Sequence, residues 1–153
     1  MKKLFIVLLA GLFTTTISAQ QSVNYRNNEE KLNEEYCSGL FRSTDGTVID
    51  ILSQSSVSAY LNILDWLNGR VSGLQTYTSR TGVVIPIMRG RIPNIFIDEM
   101  QVSASALSTL SVHDIAMVKV IKQPFLGGFN SDGGAIAIYT ISEEEEAEDT
   151  GGR

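Results

Sequence analysis

Three hydrophobic patterns follow one another along the chain. The first is an unbroken apolar run from Leu4 to Phe13, preceded by Lys2 and Lys3 and followed by small and polar residues up to Ala19. In the second, apolar positions recur at helical spacing. Leu32, Tyr36 and Leu40, four residues apart, predict a helix over Glu29 to Leu40, with Asn27 and Glu30 as a capping box at its start. Val57, Tyr60, Leu61, Leu64 and Leu67 follow the i, i+3, i+4, i+7 rule and predict a second helix, capped by Ser55 or Ser56 and stopped by Gly69.

The third pattern is β. After the Asp45-Gly46 turn, Thr47 to Leu52 reads as a short strand, and from Val71 onward strands dominate: Val71 to Tyr77, Val83 to Met88, Asn94 to Met100, Met117 to Lys122 and Ala135 to Ile141. Ile95-Phe96-Ile97 and Ala135 to Ile138 are apolar at consecutive positions and suit central strands, whereas Lys119 between Val118 and Val120 suits a strand with one wetter face. Between Ala104 and Asp114 there is room for a short helix, with Ser111 a cap ahead of the next strand. Helices and strands do not alternate regularly, so the expected class is α+β: a small mixed sheet with two or three helices.

The first pattern is too short to cross a membrane, which takes ~20 apolar residues. Its charged start and small-residue end, Ile17-Ser18-Ala19, make residues 1–19 a cleavable secretory signal, with no cysteine there to carry a lipid. The expected organisation is then residues 20–54 as an N-terminal helix and strand, 55–141 as the main α+β domain, and 142–153 as an acidic, disordered tail. Loss of the signal shifts the net charge from −5 to −7, much of it in Glu143 to Asp149. That balance excludes nucleic acid as a partner, which demands clustered Lys and Arg. No other stretch reads as a transmembrane segment.

Candidate chemistry is sparse. One cysteine excludes an internal disulfide, and Cys37 reads as a small buried hydrophobe on a helix. One histidine, His113, beside a helix cap, gives no Ser/His/Asp, Cys/His or zinc arrangement. Asp98 and Glu99, adjacent on a strand, point to opposite faces and cannot act as a carboxylate pair. The segment Gly127-Gly128-Phe129-Asn130-Ser131-Asp132-Gly133-Gly134 has phosphate-loop glycine spacing, but Gly134-Ala135 stands where Lys-Ser/Thr is required and a strand follows. Its glycines instead permit a tight connection whose backbone comes close to another surface. The expectation is a protein that is not an enzyme and holds no cofactor or metal.

Three segments follow one another: Leu64 to Gln75, with Gly69-Arg70-Val71-Ser72-Gly73-Leu74; Pro86-Ile87-Met88-Arg89-Gly90-Arg91; and Asn94 to Asp98. With them the chain from Ile63 to Thr140 resembles the plug domain of TonB-dependent outer-membrane receptors, the second segment being like the family's Ile-Arg-Gly and the third like its strand that ends in Asp-Gly. Leu110 to Pro124, with Asp114-Ile115, Val118, Val120 and Lys122, and then the glycine-rich turn with Ala135 to Ile138, complete the family's order. Glu99 stands where the family has the Gly of Asp-Gly, Gln123 where Gly or Asp is common, and Phe129-Asn130 where Tyr-Gly is usual.

The resemblance implies a domain that closes a 22-stranded barrel, yet the sequence carries neither a barrel nor a TonB box between Gln20 and Asn28. The expected function is therefore a free-standing plug. It would reside in the periplasm and occlude, from the periplasmic side, an outer-membrane β-barrel channel encoded separately, with the type IX secretion translocon as the favoured host. The alternative is a periplasmic accessory of a TonB-dependent uptake receptor. Family precedent has the arginine of Ile-Arg-Gly pair with acidic residues of the barrel wall, which maps onto Arg89 and not Arg91. The expected partner-binding residues are Arg89, Gly90 and Arg91, together with Gly127, Gly128, Phe129, Asn130, Asp132 and Gly133 of the glycine-rich loop.

Overall fold

The computed structural model describes residues 25–127 and 131–141. The segments expected to be a signal and an acidic tail, and Gly128, Phe129 and Asn130 of the expected partner-binding set, lie outside the described residues. The described chain runs through helices α1 (25–36) and α2 (Gly39–Ser43), strand β1 (Thr47–Asp50), helix α3 (Ile63–Leu67), and strands β2 (Leu74–Thr78), β3 (Val84–Met88), β4 (Asn94–Ile97), β5 (Met100–Val102), β6 (Ile115–Ile121) and β7 (Ala135–Thr140). Five strands form one sheet in the order β1-β6-β7-β4-β5, and β2 and β3 form a separate hairpin. β4 pairs with β7 in parallel, with Ile95 opposite Ile136; every other pairing is antiparallel, so the large sheet is mixed and the architecture is α+β, as expected. β7 is central, as the apolar run Ala135 to Ile138 requires.

Both faces of this sheet are covered. On one face Ile95, Ile115, Val118, Val120, Ile136 and Ile138 pack against α3, the β2–β3 hairpin and Leu107. On the other, Phe96, Met117, Ile121, Ala137 and Tyr139 lie under α1 and α2, with Phe41 ring to ring with Phe96 at 5.0 Å and with Phe125 at 4.7 Å. Such tilted and edge-on contacts add ~0.5–1.5 kcal/mol beyond the area they bury.

Four expectations are corrected here. The helix expected over Glu29 to Leu40 is two helices. The first already includes Asn27, so no capping box forms there, and it breaks at Cys37 and Ser38, leaving Leu40 46% exposed. Cys37 is buried as expected, but in this break rather than on a helix. Its carbonyl accepts from Arg42 Nε at 2.7 Å.

The second expected helix is a 3₁₀ turn, Ser55–Ala59, followed by α3. Asn62 interrupts the run: its side chain accepts the Leu64 N–H at 2.9 Å, a cap that fixes a new helix start. The periodicity misled because Leu61 is 96% exposed and contributes nothing to the apolar face.

The third concerns Lys119, which lies on no wetter face. All seven residues of β6 are buried, because α1 and α2 cover the side expected to meet water. The segment from Ala104 to Asp114 forms two 3₁₀ turns rather than one helix, and Ser111 caps the second by accepting the His113 N–H at 3.2 Å.

Candidate functional site

Arg89 and Gly90 form the reversal that follows β3. Met88 N–H donates to the Arg91 carbonyl at 2.7 Å and Arg91 N–H to the Met88 carbonyl at 3.0 Å, leaving two residues between them. Both have positive φ, +52° for Arg89 and +80° for Gly90, as a type I′ turn requires. Gly90 meets this at no steric cost, whereas a side chain in this region costs ~1–2 kcal/mol, so Arg89 is held in a strained conformation. Its N–H is anchored to the Gly73 carbonyl at 3.1 Å, its side chain is exposed, and among the described residues no carboxylate lies within ion-pair distance of it.

The glycine-rich segment returns to this turn. Arg91 Nη1 and Asp132 Oδ2 are 2.8 Å apart, an exposed ion pair that joins the two segments singled out in the sequence. Behind it, a Cβ on Gly133 would lie 2.2 Å from the Ile92 carbonyl oxygen, and one on Gly134 (φ +75°) 2.2 Å from that of Ile121. The close approach these glycines permit is thus made to the domain's own backbone. Gly127 is exposed, and a Cβ there would strike the Phe125 ring at 2.4 Å. The structure brings Arg89, Gly90, Arg91, Asp132 and Gly133 to one end of the domain. Beside them stands Ile92, 54% exposed.

Asp98 and Glu99 are not on a strand. They are the two-residue turn between β4 and β5, at φ +47° and +65°, between the paired Ile97 and Met100. Asp98 accepts the Thr140 N–H and hydroxyl, each at 2.9 Å. Glu99 accepts the Ser38 N–H at 2.6 Å, the Ser38 hydroxyl, and the Tyr139 hydroxyl at 3.3 Å. The missing glycine of Asp-Gly is replaced by a carboxylate that ties the turn to the α1–α2 break. Sequence reasoning missed this because Ser38 is 61 positions away.

Lys119 is the other polar tie to the helices. Its Nζ donates to Asn33 Oδ1 and to the Phe41 carbonyl, each at 2.6 Å. Burial lowers its pKa below 10.5, with Cys37 and Asp45 opposing. Burial also raises Tyr139 above 10.0, reinforced by Cys37 and Glu99, and raises the Cys37 thiol above 9.0. His113 is exposed, and among the described residues no group of three or more His, Cys, Asp or Glu could hold a metal. No helix among the described residues is long and apolar enough to cross a membrane.

No known protein family matches the chain, and no curated protein matches it. Solved structures do. A chain of the RagAB peptide importer in its open-open state superposes with a TM-score of 0.54 at 23% identity, over 65% of this chain and 12% of that one. The closed-closed state gives 0.52 at 23% identity over 66% and 13%, and the RagAB peptide transporter 0.53 at 23% over 67% and 13%. The chain spans about an eighth of the length of the structures it matches, and at this identity the likeness is one of fold.

Proposed function

We propose that this chain is a non-catalytic exported plug, which seats at the periplasmic side of an outer-membrane β-barrel channel supplied by a separate chain and blocks it. The observation that carries the reading is the surface where the Arg89-Gly90-Arg91 turn meets Asp132. Arg89 occupies a strained turn position with its guanidinium outward and no carboxylate of its own domain beside it. Strain of this kind persists where the surroundings impose it, and it points to use of the side chain. A channel wall that presents carboxylates supplies the missing partner.

The fold likeness to a peptide importer supports an envelope transport setting. The host to test first is the type IX secretion translocon, a large channel that must be shut when idle. A plug surface needs to be polar and wet rather than greasy, since non-obligate interfaces are about as apolar as ordinary surface. An exposed arginine, an exposed ion pair and one flanking isoleucine satisfy that.

Deletion of the gene tests the reading. A plug predicts entry of large antibiotics or dyes that the intact outer membrane excludes, reversed by the wild-type chain. Unchanged permeability contradicts it.

A further inference from the structure

A cleft of about 190 Å³ opens between α1, α2 and the start of β1, on the sheet face opposite the β2–β3 hairpin. Lys119 lies at its floor, and Arg26, Arg42, Glu29, Glu30 and Asp45 are the charged residues of its walls. Lys119 is 2% exposed, and both acceptors of its ammonium, Asn33 Oδ1 and the Phe41 carbonyl, are neutral. An ammonium has three N–H donors, so one remains. The single ion pair among the described residues is Arg91–Asp132, so no carboxylate lies within 4.0 Å of Lys119, and the cleft's charges of both signs do not pair with one another.

Buried charges in proteins are paired, because desolvation of a lone ion costs far more than a hydrogen bond returns. The cleft is also shaped around this lysine: a Cβ on Gly46 would lie 3.1 Å from Lys119 Cε and 3.0 Å from the Val120 carbonyl oxygen. Its volume falls below the ~300–1,000 Å³ of drug-sized pockets and suits a molecule the size of an amino acid. We propose that this cleft binds a small zwitterion of amino-acid size, its carboxylate accepting the third N–H of Lys119 and its ammonium facing Glu30 and Asp45. With three cationic side chains (Arg26, Arg42, Lys119) set against three carboxylates (Glu29, Glu30, Asp45) the lining is balanced, so acetate or phosphate brings net negative charge that nothing offsets. A zwitterion satisfies both ends.

Amide NMR of the mature chain, titrated separately with glycine, acetate and inorganic phosphate, tests this. Expected are saturable shifts with glycine at Asn33, Gly46, Val48 and Lys119, with acetate and phosphate each about tenfold weaker, the worth of one charge-assisted contact. Lys119→Met removes glycine binding by about tenfold or more. Asp45→Asn, at an exposed loop position, weakens glycine several-fold while acetate binds no more weakly, because the carboxylate that opposes an anion is removed. Absence of shifts with any probe, acetate or phosphate equal to glycine, or glycine binding undiminished in Asp45→Asn would each overturn the proposal.

Discussion

Glu99 reaches from a two-residue turn to Ser38, accepting its backbone N–H at 2.6 Å, and so fastens the break between α1 and α2 to the edge of the sheet. The turn itself would prefer glycine, because Glu99 sits at φ +65°. The two effects oppose each other. Relief of the left-handed conformation is worth ~1–2 kcal/mol, and hydrogen bonds to a charged group ~1.5–3 kcal/mol each. The two bonds to Ser38 are at the surface, where each is worth the low end of that range, so Glu99→Gly destabilises the fold by about 1–2 kcal/mol despite restoring the turn's favoured residue. Urea denaturation with a Ser38→Ala double-mutant cycle checks it, with the coupling between the two positions as the readout.

The contrast with Gly90 and Gly133 separates turn strain from close packing. A side chain at Gly90 meets nothing within 4 Å, so Gly90→Ala costs only its φ, about 1 kcal/mol. Gly133→Ala drives a methyl to 2.2 Å from the Ile92 carbonyl and forces β4 and the glycine-rich segment apart, costing about 3 kcal/mol or more. Thermal melts of the two variants rank them.

Much of the strand content was legible, and the reason is local. Val84 to Met88, Asn94 to Ile97 and Ala135 to Thr140 carry apolar runs that no helix spacing explains, and they form strands within a few residues of expectation. The helices were less legible because their breaks depend on single polar side chains. Asn62 starts α3 where periodicity continued through, and Cys37 and Ser38 break the N-terminal helix where Leu40 kept the spacing. At the candidate site, the motifs singled out Arg89 to Arg91 and the glycine-rich segment but not that the two meet, because Arg91 and Asp132 are 41 positions apart and come together only once β3 and β7 are placed. Lys119 was misread for the same reason, since alternation along β6 says nothing of helices that arrive from elsewhere in the chain.

Tyr139 and Cys37 predict an alkaline loss of stability. Both hold their protons above their ordinary values of 10.0 and 9.0, chiefly through burial. Above pH 9 the unfolded chain releases protons that the folded chain keeps, so it binds fewer, and stability falls as pH rises. Lys119 acts the other way: between its lowered folded value and 10.5 the unfolded chain binds the extra proton, and stability rises with pH. Tyr25 is raised in the same sense, so above 10.5, where Lys119 no longer contributes a slope, three groups set a downward one. Urea midpoints across that range measure it, and Tyr139→Phe flattens the fall by removing one of the three groups.

Arg89→Gly separates folding from partner binding. Glycine suits φ +52° at no steric cost, so the variant folds as stably as the parent or gains about 1 kcal/mol. With the guanidinium gone, retention at the outer membrane falls. Urea denaturation of the purified chain and fractionation of detergent-extracted envelopes read the two effects separately.

The central claim is that the surface of Arg89 and Asp132 faces the wall of a channel, and photo-crosslinking in living cells tests it most directly. A photoreactive residue at position 89 should give one dominant adduct with an outer-membrane β-barrel chain, and one at Tyr77, an exposed residue of β2, should not. No adduct from position 89, or adducts only with soluble periplasmic proteins, contradicts the plug.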